Sequence, residues 1–309
     1  MNSGWWLQRL GAFVVVAAVL LWSQGAWAKA KVVATLPDLA AIAREVGGDE
    51  VEVTCLSRPN EDPHYVDAKP SFLVSLNQAD VLLLNGMELE VGWLPPLLTQ
   101  ARNPKIQVGA AGYVDASRAI QPLEVPASAD RAQGDIHAQG NPHYTLDPRR
   151  GLLVGELVRK NLSSIDPGNA ALYQKNYDNF KKQLDELAKA ERERFMKLGE
   201  AQRQVVPFHR SVTYLADWLG LKTPLEVQPK PGIAPTPSHT AKVLQTLKGG
   251  GVRALIQEEF YPRNTSETLS KLSGARLVVF DGGTRFQEGE RYAEHLKKVS
   301  AAIYGAIAP

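Results

Sequence analysis

The sequence predicts an α/β protein of two parallel-sheet βα lobes, joined by one long rigid helix, with a cleft between them. Three observations predict this class. Short apolar runs alternate with amphipathic stretches on both sides of residue 165, the pattern of repeated strand-helix units. The run DVLLLNG, residues 80–86, is apolar almost throughout, as a strand covered on both faces must be. Between the two series lies GNAALYQKNYDNFKKQLDELAKAERERFMKLGE, in which Leu172, Tyr173, Asn176, Phe180, Leu184, Leu187 and Phe195 recur at helical spacing among many charges. At ~1.5 Å per residue such a helix spans roughly 45 Å. That is too long for a crossover within one sheet, so it is expected to act as a strut that hinges poorly and permits only small lobe adjustments.

The elements follow in order. KVVATLP is a strand, and Asp38 is expected to cap the helix LAAIAREV, which Gly47-Gly48 ends. VEVTCLS is the second strand; it leads into the loop RPNEDPHYVDAKPS, with His64, before a helix that starts near Ser71. After the strand of residues 80–86 come an amphipathic helix, Glu90 to Ala101, and a fourth strand, KIQVGA. Periodicity then disappears from residue 111 to residue 141. It returns at Asp147-Pro148, a natural N-cap followed by a natural first helical residue, at the head of GLLVGELVRKNL. Beyond the long helix, RQVVPFH is a strand ending at His209, SVTYLADWLG a helix stopped by Gly220, and LKTPLEV a strand. The proline-rich QPKPGIAPTPS precedes a helix capped by Ser238; RALIQEE is a strand, Asn264 to Leu272 a helix, ARLVVFD the last strand, and EGERYAEHLKKVSAAIYGAI the closing helix.

The first 28 residues are expected to lie outside this fold. Arg9, the apolar run Leu10 to Trp22 and the small-x-small tripeptide Ala26-Trp27-Ala28 read as an export leader cleaved after Ala28. The run has 13 residues, short of the ~20 a membrane helix needs. No cysteine directly follows the cleavage point, so no lipid anchor is expected, and the mature chain is expected in the periplasm as a monomer. The domains are then a leader at 1–28, an N-terminal lobe at 29–164, the connecting helix at 165–200 and a C-terminal lobe at 201–309. With 35 basic and 33 acidic side chains and no basic stripe interleaved with aromatics, nothing points to nucleic acid. The lone Cys55 has no internal disulfide partner and reads as a buried inert thiol.

Ligands of open parallel sheets bind beyond the carboxyl ends of the strands. His64 follows the second strand and His143 the fourth; His209 and Asp281 stand at the ends of two C-terminal strands. Prolines directly before His64 and His143 hold those imidazoles on stiff backbone. Three imidazoles and a carboxylate suit a borderline-soft cation such as zinc. Glu258 and Glu259, at another strand end, are rival sources of the fourth ligand. His137, six residues before His143, is an accessory candidate, whereas His239 and His295 read as surface residues.

EDPHYVDAKPS, GNPHYTLDP, PFHRSVTYLADWLGL and FDGGT occur in this order along the chain. In that order and rough spacing they resemble the metal-binding (ZnuA/TroA-like, cluster A-I) solute-binding proteins of ABC importers. The resemblance spans essentially all of the mature chain. It implies two lobes on a rigid helix, a zinc or manganese ion in the cleft bound by His64, His143, His209 and Asp281, and hand-over to a membrane permease, with a periplasmic metallochaperone as a further partner. Manganese binders of the family place a glutamate at or after the third ligand position. Here that position is His209, and residues 228–240 contain no acid, which favours zinc. Many zinc members carry a histidine-rich loop; residues 111–141 hold only His137, so no multi-zinc reservoir is expected. The expected function is high-affinity capture of zinc for an ABC importer. The alternatives are a manganese-binding member of the family and a zinc-dependent hydrolase, for which the chain offers no HExxH helix with its general base.

Overall fold

The computed structural model describes residues 28–127, 137–230 and 232–308. The predicted leader, with its cleavage tripeptide up to Trp27, lies outside the described residues. No described helix is long and apolar enough to cross a membrane.

Two wholly parallel sheets form the lobes. The first contains β1 (Ala30–Ala34), β2 (Val51–Cys55), β3 (Val81–Leu84) and β4 (Tyr113–Asp115) in the order β2-β1-β3-β4. The second contains β5 (Val205–Pro207), β6 (Ala254–Glu258) and β7 (Arg276–Phe280) in that order. Helices α1 (Pro37–Gly47), α2 (Pro70–Gln78) and α3 (Leu94–Ala101) belong to the first lobe; α4 (Pro148–Ile165) and the long α5 (Ala170–Met196) follow. Helices α6 (Thr213–Leu219), α7 (Pro237–Lys248), α8 (Asn264–Ser273) and α9 (Tyr292–Ile307) complete the chain.

The apolar strands are covered on both faces. Val32 and Ala34 of β1 and Val81 and Leu83 of β3 face one buried cluster, while Val33, Leu82 and Leu84 face another with Phe72, Leu76 and Trp93. The first cluster continues through α4 and α5 into Trp218, Ile256 and Tyr292. The lobes therefore share one core, as a strut between them requires.

Helix α5 has 27 residues, roughly 40 Å at 1.5 Å per residue. Its Tyr173, Phe180, Leu184 and Phe195 are buried, and of its charged residues only Glu191 is buried with them. Two glycines on α4 let neighbours close in. A Cβ on Gly151 would lie 2.3 Å from Tyr292 Cε1, and one on Gly155 would lie 2.7 Å from Phe180 Cε1. Segment 284–292 of the second lobe is bolted to α1 of the first. The Thr284 amide donates to Asp38 Oδ1 at 2.8 Å, Arg44 donates to the Phe286 and Glu290 carbonyls at 3.0 and 2.6 Å, and the Tyr292 amide donates to Glu45 Oε1 at 2.9 Å.

Several local expectations give way to longer-range bonding. Asp38 does not cap α1; the helix starts at Pro37, two residues earlier than expected, and the Asp38 carboxylate is taken by Thr284 across the lobes. KIQVGA is not a strand. Asn103 caps a 3₁₀ turn over Pro104–Ile106 and ties it to the Leu76 and Ala79 carbonyls, so the chain reaches the sheet only at β4. LKTPLEV makes a single bridge, Gln204 to Lys222, because Pro224 has no N–H to offer a ladder. Thr236 rather than Ser238 caps α7. His295 is buried, not on the surface, 3.9 Å from Glu290.

Candidate metal site

Each imidazole is fixed by its own local device. Asp62, Pro63 and His64 form a turn in which Asp62 Oδ1 accepts from the His64 amide at 3.0 Å and pairs with its Nδ1 at 2.8 Å. Trp93 Nε1 donates to the Pro63 carbonyl at 3.0 Å and pins the turn. The same device recurs at Asn141, Pro142 and His143: Asn141 Oδ1 accepts from the His143 amide at 2.9 Å. The Asn141 side chain also donates to Glu124 and to the Arg210 carbonyl, at 3.0 and 2.9 Å, which ties the turn to both lobes. His143 then enters a 3₁₀ turn before α4, whose Asp147 accepts from the Arg149 amide and caps the helix as expected. His209 lies two residues beyond β5, 4% exposed, with its Nδ1 3.1 Å from Gln228 Oε1.

These turns bring the three imidazoles together. His64, His143 and His209 each offer a ligand atom within 4.8 Å of the others, the one such group of three or more His, Cys, Asp or Glu among the described residues. Ring centroids are 5.0 Å apart for His64 and His143, 5.4 Å for His143 and His209, and 6.1 Å for His64 and His209. Asp62 and Gln228 engage the Nδ1 atoms of His64 and His209, which leaves their Nε2 atoms for a ligand. The Nε2 of His143 is buried without a partner among the described residues. Orientation of a ligating imidazole through its second nitrogen is a regular feature of metal sites.

Burial sets the charge of the site. It holds the His143 imidazole well below its usual range, with His64 next in effect, and it pushes His209 down to about 3. Both rings are therefore neutral and ready to ligate without first losing a proton. Burial alone would raise Asp62, but hydrogen bonds from His64 and the charge on that ring bring its carboxyl below the usual range. Burial pushes the Glu258 carboxyl up to about 7.

The structure does not bring all the expected residues together. Asp281 stands outside the group: Arg285, four residues on, binds both its oxygens at 2.8 and 2.9 Å and lowers its carboxyl. The charged fork occupies both oxygens of the carboxylate. His137 does approach, with its Nε2 3.2 Å from His64 Nε2. That is a hydrogen-bond distance between the two rings, and His137 is not one of the three that converge within 4.8 Å. The next amide, Ala138, is held by Glu88 Oε2 at 3.0 Å. Glu259, exposed, pairs with Arg263 at 3.4 Å. Asp62, Asn141 and Gln228 were not singled out by the sequence reading; the repeated Asx-Pro-His tripeptide was the signal that could have found the first two.

The profile of the family described as periplasmic zinc-uptake complex component A matches residues 32–306. The chain belongs to that family. Zinc-uptake component A proteins and their relatives are substrate-binding proteins of metal ABC transporters, which work with a membrane permease and an ATPase and are not enzymes. The metal ABC transporter substrate-binding lipoprotein SloC of Streptococcus mutans is 24% identical over 276 residues, 87% of each chain. The iron ABC transporter substrate-binding lipoprotein MtsA of Streptococcus pyogenes is 25% identical over 80% of this chain and 77% of its own. The manganese ABC transporter substrate-binding lipoprotein PsaA of Streptococcus mitis is 22% identical over 87% of this chain and 86% of its own. A crystal structure of ZnuA superposes with a TM-score of 0.75 at 24% identity, covering 91% of this chain and 100% of that one. The Mn-bound periplasmic metal binding protein from Candidatus Liberibacter asiaticus gives 0.74 at 19% identity, covering 90% and 100%. These likenesses establish the zinc-uptake component A fold: two parallel-sheet lobes on a long helix.

Proposed function

We propose that this chain captures zinc with high affinity outside the cytoplasm and delivers it to the permease of an ABC importer. The observation that carries the reading is the convergence of His64, His143 and His209, two of them held neutral by burial. An imidazole set with no carboxylate among its three members suits zinc better than manganese, whose preference is for oxygen ligands. Residues 29–164 and 201–309 act as the two jaws, and 165–200 as the strut. His137, 3.2 Å from His64, serves as an accessory donor during capture. The leader is removed after Ala28, and the mature protein works in the periplasm as a monomer, receiving zinc in part from a periplasmic metallochaperone.

A second reading, manganese or iron as cargo, is favoured by the names of the relatives. Calorimetric titration of the protein lacking its leader with zinc, manganese and ferrous iron separates the two, with His209→Ala run alongside. One zinc per chain, bound more tightly than the other ions, and a higher Tm on loading are expected. Tetrahedral structural zinc sites are worth about 10–16 kcal/mol over four ligands, so loss of one imidazole should cost roughly 3 kcal/mol, about two orders of magnitude in affinity. Manganese binding more tightly than zinc refutes the choice of cargo; undiminished zinc binding by His209→Ala refutes the site.

A further inference from the structure

The segment from Asn85 to Trp93, which leaves the carboxyl end of β3, holds the backbone beside three histidines at once. The Pro63 carbonyl, just before His64, accepts from Trp93 Nε1 at 3.0 Å, and the Pro142 carbonyl, just before His143, accepts from Asn85 Nδ2 at 3.0 Å. The Ala138 amide, just after His137, donates to Glu88 Oε2 at 3.0 Å, and the Tyr144 hydroxyl donates to the Asn85 carbonyl at 2.5 Å. None of these bonds is to an imidazole, yet each fixes the backbone that carries one.

This segment is itself held in a costly conformation. Gly86, Met87 and Glu88 have φ of 81°, 50° and 64°. That makes three left-handed residues in a row, two of them with side chains that disfavour the region. Such strain persists only where the surroundings enforce it, and it gathers at functional sites. The enforcing group is Glu90, 3% exposed. Its Oε1 accepts from the Asn85 amide and the Thr35 hydroxyl, each at 2.6 Å, and its Oε2 accepts from the Gly86 amide at 3.1 Å. The carboxylate thus ties the start of the turn to the residue that follows β1. A buried carboxylate is expensive to keep, and filling space alone does not call for one.

We infer that Glu90 is a positioning residue for metal binding: it holds the left-handed turn of residues 86–88, and the segment so held sets the spacing of the His64 and His143 rings. This rests on the proposed three-histidine site and concerns how that site is held ready, not which atoms ligate. His209 is oriented separately, by Gln228. In Glu90→Gln the shape is kept, but one oxygen becomes an NH₂ that meets a hydrogen-bond donor of the turn or of Thr35, donor against donor. The turn then relaxes, and the bonds to Pro63 and Pro142 no longer start from a fixed place. Altering a residue that acts through such a network changes affinity by roughly 2–30-fold.

The test measures zinc affinity by competition with a chelator, and the visible absorption of the cobalt-loaded protein, in wild type, Glu90→Gln, Asn85→Ala, His209→Ala and Gly155→Ala. Glu90→Gln should lose about 10-fold in zinc affinity and shift the cobalt band, which reports the arrangement of the ligands. Gly155→Ala is the control for stability: its added Cβ would lie 2.7 Å from Phe180 Cε1 between α4 and α5, and it should leave affinity and band unchanged. If Glu90→Gln binds zinc within about twofold of wild type with an unmoved band, while His209→Ala loses zinc, the inference is overturned and the histidine site stands. If Gly155→Ala matches Glu90→Gln in both readouts, the effect is one of stability and the inference is again overturned. If His209→Ala binds like wild type, the histidine site has failed and the inference falls with it. Should Glu90→Gln not fold, Asn85→Ala decides, since it frees the Pro142 carbonyl and leaves the carboxylate in place. A loss of about threefold or more with a moved band supports the inference; binding like wild type overturns it.

Discussion

Between pH 6.5 and 4.5 the metal-free protein should lose stability as its buried imidazoles resist protonation, with one buried carboxyl opposing them. His143 and His209 are both held below the ordinary imidazole value of 6.5, His209 down to about 3, chiefly by burial. Above 6.5 they carry no penalty. Below it the unfolded chain takes up protons that the folded chain refuses, so stability falls with pH by about 1.4 kcal/mol per unit for His209 and in the same direction for His143. Glu258 works the other way. Burial lifts its carboxyl from 4.5 to about 7, so the folded chain keeps a proton that the unfolded chain has lost, and acidification across that window restores about 1.4 kcal/mol per unit. The His209 loss and the Glu258 gain nearly cancel, so the net fall is carried by His143. Urea melts in the presence of a chelator at several pH values read this slope directly. His209→Gln should make it shallower by about 1.4 kcal/mol per unit, and Glu258→Gln should make it steeper by as much while raising stability at pH 8. A His209→Gln slope equal to that of wild type would sink the reasoning, because the ring would then not be titrating as a buried group.

Two further outcomes follow from packing and pairing. Asp281→Asn should leave zinc affinity within about threefold of wild type, because Arg285 already holds that carboxylate; a loss beyond about tenfold, or 1.4 kcal/mol, in a competition titration would return Asp281 to the site. Gly151→Ala should destabilise the protein by about 1–3 kcal/mol, since the added Cβ meets the Tyr292 ring in a shared core. A thermal melt with unchanged Tm would mean that Tyr292 moves aside without cost.

Much of this site was legible because its devices are local. A proline before His64 and before His143 stiffens each turn whatever lies around it, and Asp147-Pro148 starts α4 as its residue types dictate. Glu258 is the opposite case. Its place at a strand end marks it only as a rival for the fourth ligand, and no spacing rule says that it is buried rather than exposed like its neighbour Glu259.

The sequence by itself determined the alternation of strands and helices, the long helix, and the histidines at strand ends, all of which depend on residues a few positions apart. Only the tertiary structure decided which polar groups pair. Asp38 leaves its helix end for Thr284, 246 residues away, Asp281 goes to Arg285 instead of the histidines, and His137 arrives beside His64 across 73 residues. A carboxylate or an imidazole bonds to whatever donor or acceptor the completed packing places within about 3 Å. That distance is settled by the whole fold, and the chemistry of the site is settled with it.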